Sequence, residues 1–132
     1  MSVREIVIIA SMIEKEAADD TERARIASVI YNRLAAKMPL GLESTILYLH
    51  PEHEGAPTGE MIEEDSRYNT LKHTGLPPTP ICNPGLAAID AALNPETTGF
   101  YYFTLDTETG AHRFFTNYEE FAAFVATQDY GG

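Results

Sequence analysis

The chain has 132 residues and carries 9 Lys and Arg against 20 Asp and Glu, a formal net charge of -11. That length is room for one domain, and with 44% hydrophobic and 22% charged residues the composition excludes collagen, coiled coil and disordered tails, because one core can bury enough apolar surface to fold. The acid excess argues against a nucleic acid partner, since neutralising a phosphate backbone takes clustered Lys and Arg. A lone cysteine, Cys82, forms no intramolecular disulfide, so packing alone must hold the fold. The apolar stretch Ile6–Ala10, extended by Met12 and Ile13, is far shorter than the roughly 20 residues of a bilayer span, and no signal-peptide pattern precedes it.

In chain order, Val3, Ile6, Val7, Ala10, Ile13 and Ala17 recur at three-and-four spacing without Gly or Pro, which predicts a buried helix over 3–18. Asp19 followed by Glu22 has the form of a capping box and predicts a second helix that turns Ile26, Val29, Ile30 and Leu34 inward and stops before Pro39. Thr45-Ile46-Leu47-Tyr48 is β-branched and aromatic, which predicts a short strand. His50–Gly59 reads as a loop, with Thr58 or Thr70 available to cap brief turns. Residues 66–85 hold Pro77, Pro78, Pro80 and Pro84 with Gly75 and Gly85, a density that predicts a rigid ordered loop.

A third helix is expected from Pro84, at a first-turn position, through Leu86, Ile89, Ala92 and Leu93, ended by Asn94-Pro95. Residues 100–105 and 112–115, separated by the turn residues Asp106 to Gly110, predict a β-hairpin. Asn117 should cap a last helix that buries Phe121, Phe124 and Val125. The fold class is therefore α+β, a helix pair followed by a short strand and Pro-rich loop, a helix, and a C-terminal hairpin with a terminal helix.

Glu14 is the most informative single residue, because a period of 3.6 puts it on the face of Val7, Ala10 and Ala17. Its neighbours at three and four residues, Ala10, Ser11, Ala17 and Ala18, are small and leave space for a ligand. Desolvation there would raise the carboxyl pKa toward that of a general acid. The bland alternative is an ion pair with a Lys or Arg from a packed neighbour. Glu16 points about 200° around the helix from Glu14 and reads as a solvated or ion-paired acid. His50 and His53, flanked by Glu52 and Glu54, lack a helical i, i+4 ligand pair, so no metal is expected. Cys82 reads as a small packed residue, and the aromatics of 101–103 and 114–115 read as core.

The ordered set Ala10-Ser11-Met12-Ile13-Glu14-Lys15-Glu16-Ala17, Ile26-Ala27-Ser28-Val29-Ile30-Tyr31-Asn32-Arg33-Leu34, Met38-Pro39-Leu40, Tyr68-Asn69-Thr70, Gly75-Leu76-Pro77-Pro78 and Asn83-Pro84-Gly85-Leu86 resembles the MltG or YceG-like endolytic murein transglycosylases. The likeness continues through Ala91–Pro95 and Tyr102-Phe103, covering nearly the whole chain as a single catalytic domain, 1–132. It implies cleavage of the β-1,4 bond between N-acetylmuramic acid and N-acetylglucosamine with formation of 1,6-anhydro ends, without water and without a cofactor. In that chemistry one carboxyl, matched to Glu14, serves as acid and then as base, which agrees with Glu14 having no partner carboxylate. The resemblance makes Asn32, Thr45, Tyr48, Tyr68, Asn69 and Asn83 candidates for holding sugar, each with packing or loop bracing as its alternative.

It also implies peptidoglycan glycan strands, and cell-wall synthases, as partners, and an extracytoplasmic place at the bacterial membrane. Full-length members carry an amino-terminal membrane helix and a small wall-binding subdomain ahead of this segment, so an excised catalytic domain or a reduced homologue is expected. Two departures stand out. Gly41-Leu42-Glu43-Ser44-Thr45 replaces the usual Gln-Ser-Asp-Pro-Thr, and Thr79 replaces a glycine after the two prolines. Two competing readings follow, a non-catalytic glycan-binding or scaffold module, and a hydrolase with Glu43 as second carboxylate.

Overall fold

The computed structural model describes residues 1–130. Helix α1, Val3–Glu16, starts at a capping box in which the Ser2 hydroxyl accepts from the Glu5 amide and the Glu5 carboxylate accepts from the Ser2 amide. It ends two residues earlier than the apolar pattern extends, because Ala17 turns to extended backbone while still donating to Ile13 O. Helix α2, Arg23–Ala35, follows. The Asp19/Glu22 capping box does not form. Asp19 Oδ1 instead accepts from the amide and hydroxyl of Thr21, and Glu22 caps with its backbone only, its side chain turned inward.

The expected strand at 45–48 is a short helix, α3, Glu43–Leu47. Extended pairing falls just upstream, where Pro39 bridges Thr74 and the Gly41 amide donates to Thr70 O. Thr45 and Ile46 are both buried side by side, a pattern that a helix turned onto the core permits and a one-sided strand does not. Thr58 does cap a brief helix, α4, Gly59–Glu63, its hydroxyl accepting from the Met61 amide.

The Pro-rich segment is an ordered loop, as its composition implies. Ile81 N–H donates to the Ser11 hydroxyl and the Cys82 thiol to Ser11 O, so the loop lies along α1. Helix α5, Leu86–Leu93, begins after Pro84, since Gly85 is the extended cap residue rather than part of the first turn. Strands β1, Tyr102–Leu105, and β2, His112–Phe115, pair antiparallel with Tyr102 opposite Phe115 and Leu105 opposite His112. Asn117 caps α6, Tyr118–Val125, by accepting from the Glu120 amide. The fold is α+β as read from the sequence.

The core forms where α1, α2 and α5 pack on one another, with Ile8, Ile9, Met12 and Ile13 of α1 against Ile26, Ala27 and Ile30 of α2 and Ala88, Ala91 and Ala92 of α5. The alanines of α5 let its backbone approach α1 closely, while Leu86 and Leu93 remain exposed. The hairpin lies on the other side of α2, with α6 across both its strands. Residues 39–47 and the hairpin thus flank the C-terminal end of α1. Among the described residues no helix is long and apolar enough to cross a membrane.

Candidate active site

The two glutamates near the end of α1 have different surroundings. Glu14 Oε1 accepts from the Gly85 amide at 2.6 Å. A negative side chain at the N-terminus of α5 satisfies a free donor and complements the helix dipole. The approach is close enough that a Cβ on residue 85 would lie 3.1 Å from Glu14 Oε1, which accounts for glycine there. Glu14 therefore fastens α5 to α1 at this seam.

Glu16, on the opposite side of the helix, enters a cleft of about 710 Å³ walled by the end of α1, residues 40–44, α2 and the hairpin. Leu40, Leu42, Leu47 and Phe103 give it apolar walls. Protein surrounds the Glu16 carboxyl closely enough that desolvation raises its pKa above the ordinary 4.5. The side chain and backbone of Ser44 and the charge of His112 work against that shift, and the charge of Glu43 adds to it. Glu16 is thus not an ordinary solvated acid, and it forms no ion pair among the described residues, which corrects the expectation for this residue.

Arg33 of α2 shapes the same wall. Its Nε donates to Tyr101 O at 2.7 Å and its Nη1 to Pro39 O at 2.8 Å, and the guanidinium lies 5.0 Å from the Tyr102 ring centre. Gly41, at φ +65°, lets the chain pass beside it, since a Cβ there would sit 3.1 Å from Arg33 Nη1. A second cleft of about 820 Å³ adjoins the first and shares Lys15, Ser44 and Leu47 with it.

Of the residues matched to sugar binding, Tyr48 lines this second cleft, 42% exposed, with its ring 5.2 Å from that of Tyr68. The Tyr68 hydroxyl bonds the hydroxyl of Thr79 at 2.8 Å. Asn83 is exposed on the loop before α5 and lines neither cleft. The other three have internal partners. Asn32 donates to Thr98 O and Phe100 O, tying α2 to the chain entering β1. Thr45 bonds Leu42 O and the Thr70 hydroxyl, and Asn69 donates to Ile62 O and Glu64 O while accepting from the Leu71 amide. These three brace the cleft walls. His50 and His53 turn to separate partners, Glu64 and Ala56 O.

Sequence reasoning missed Glu16, Ser44, Arg33 and the contact between Glu22 and His112. Glu16 had a signal, since it continues the stripe Ile9, Met12, Ile13 by one turn, and all three of those residues are fully buried.

The arrangement places a carboxyl whose pKa is raised by desolvation in an open, largely apolar-walled cleft, the kind of setting that acid catalysis on a glycosidic oxygen requires.

A sequence profile of the YceG-like family matches residues 1–127. The chain is 46% identical over 103 residues to the endolytic murein transglycosylase of Bacillus subtilis (strain 168), covering 78% of this chain and 29% of that protein. It is 35% identical over 133 aligned positions to the endolytic murein transglycosylase of Streptococcus pneumoniae serotype 2 (strain D39 / NCTC 7466), covering 96% and 24%. The crystal structure of a YceG-like protein from Listeria monocytogenes superposes with a TM-score of 0.88 at 45% identity, over 93% of this chain and 40% of that one. The chain spans less than a third of the length of the curated relatives it matches. By profile, sequence and fold together, it belongs to the YceG-like family.

Proposed function

We propose that this chain is the catalytic domain of an endolytic murein transglycosylase, and that Glu16 rather than Glu14 is its acid and base. The observation that carries this reading is the desolvated Glu16 carboxyl in an open cleft, its pKa raised by burial. Glu14, by contrast, is occupied at the start of α5. The names of the relatives support the substrate class, glycan strands of peptidoglycan.

In the reaction the protonated Glu16 gives its proton to the oxygen of the MurNAc-β-1,4-GlcNAc bond as the bond from C1 to that oxygen breaks. The carboxylate left behind then removes the proton from the muramoyl C6 hydroxyl while its oxygen bonds to C1. The products are a free GlcNAc 4-hydroxyl and a 1,6-anhydro-muramoyl end, water is not consumed, and Glu16 returns to its protonated state. Apolar walls serve both steps, favouring the neutral acid first and strengthening the carboxylate as base afterwards. Tyr48, exposed beside the second cleft, gives a sugar ring a flat apolar face on which to rest. In the whole protein the site would face the extracytoplasmic glycan, beside the synthases that make it.

A second reading, hydrolysis, draws on one observation. Glu43 lines the same cleft and its charge acts on Glu16, so a second carboxylate is available to activate water.

Product analysis separates these readings. The chain and its Glu16→Gln and Glu43→Gln variants are incubated with uncrosslinked glycan strands and the ends identified by mass spectrometry. Anhydro-muramoyl ends from the parent and Glu43→Gln, but not from Glu16→Gln, are expected. Reducing ends that vanish in Glu43→Gln would replace the first reading with hydrolysis. Glycan binding without product in any form would leave a non-catalytic module.

A further inference from the structure

One side chain outside the acid itself stands out for its burial and its partners. Glu22, 2% exposed, places one carboxylate against three donors from two distant parts of the chain. Its Oε2 accepts from the Ala18 amide at 3.0 Å and from His112 Nδ1 at 2.7 Å, and its Oε1 accepts from the His112 amide at 2.6 Å. Ala18 follows Glu16 by two residues, and His112 opens β2 and lines the cleft that Glu16 enters. A single carboxylate therefore ties the end of α1 to the hairpin beside the reactive group.

The imidazole is fixed as well as tethered. With Nδ1 and the backbone amide of His112 both bonded to Glu22, and the ring edge-on to Phe103 with centres 5.1 Å apart, the ring has one orientation. Its Nε2 has no hydrogen-bond partner among the described residues. A buried carboxylate that accepts from Nδ1–H sets the tautomer and the orientation of the ring.

We propose that Glu22 and His112 form a positioning couple for Glu16, the buried carboxylate holding the chain just beyond Glu16 and the first residue of β2 in one register at the cleft. This rests on the assignment of Glu16 as the acid. The couple moves no proton itself. Its effect is to keep the end of α1, and Glu16 with it, in register with the hairpin wall. The other charged and titratable groups on the cleft are Lys15 from α1, Arg33 from α2, Glu43 from α3 and Tyr130 beyond α6. Asp19 also acts on His112 from the loop after α1. Among the influences on Glu16, that of His112 opposes desolvation and that of Glu43 reinforces it.

The test reads Glu16 directly, without substrate. In the intact chain, 13C NMR follows the Glu16 side-chain carboxyl through a pH titration. The expected result is a Glu16 midpoint that moves upward in His112→Gln. In Glu22→Gln, a near-isosteric change, the Glu16 midpoint should also rise. The kcat of His112→Gln should drop about tenfold with KM little changed, because the couple acts through the carboxyl. A Glu16 curve unmoved in either folded variant overturns the proposal. Retention of activity by Glu16→Gln would instead remove the assignment of the acid while leaving the measured coupling intact, so the two failures are distinguishable.

Discussion

The two faces at the C-terminal end of α1 carry chemically identical side chains with opposite tasks. On the α5 face, Glu14 meets the amide of Gly85 and the positive end of a helix, so its charge is an asset to the packed seam. On the cleft face, Glu16 meets leucines, a phenylalanine and another glutamate, so its charge is a liability. The difference teaches that position on a helix face does not by itself make a carboxylate reactive. What matters is whether the surrounding groups favour its neutral or its charged form.

The largest way to break this contrast is to remove the acid. Glu16→Gln should lower glycan cleavage by about a thousandfold, within the usual range for a general acid, as read from initial rates of anhydro-end formation. Next comes the buried anchor. Glu22 is held below the ordinary 4.5 because, although burial works to raise it, hydrogen bonds from the amides of His112 and Ala18 and from the His112 ring outweigh that effect. Removing its charge leaves buried donors without an ionic acceptor, so Glu22→Gln should cost about 3 kcal/mol at neutral pH. The sign follows from the lowered pKa. Its stabilising contribution is present above the ordinary value and is lost as pH falls through the folded value, so urea midpoints of parent and variant should converge in acid.

Glu16 has the opposite sign. Its raised pKa means that above 4.5 the folded chain holds a proton that the unfolded chain has released, so stability falls as pH rises toward the folded value. Glu16→Gln should therefore raise Tm at about pH 8, with the gain closing at about pH 4, a stability cost that the native residue carries in its cleft. The smallest effect belongs to Glu14→Gln. The amide oxygen can still accept from Gly85, so only the interaction of the charge with the α5 terminus is lost, about 0.5 kcal/mol by thermal melt, with cleavage retained.

Most of the fold was legible because its signals are local. The apolar spacing of α2 and α5, the Asn117 cap and the turn between the strands each lie within a few residues of the element they define. Residues 45–48 were not, because β-branched content over four residues suits either a strand or one helical turn, and Thr70, far along the chain, decided between them. Glu14 drew attention because it lies on the stripe of Val7, Ala10 and Ala17. The middle of α1, however, is buried from Ile8 through Ile13 on all sides, so that stripe does not mark a unique inward face. The family resemblance was matched to Glu14, and a motif match does not weigh the environments of the two glutamates in this segment. The Glu22–His112 contact spans 90 residues of sequence and left no local trace.

The most direct measurement places the two carboxylates side by side. Rates of anhydro-muramoyl end formation are taken for the parent chain, Glu14→Gln and Glu16→Gln on the same uncrosslinked glycan strands, each protein first shown to melt cooperatively. Activity lost in Glu16→Gln and kept in Glu14→Gln is the predicted result. Activity lost in Glu14→Gln and kept in Glu16→Gln would contradict the account.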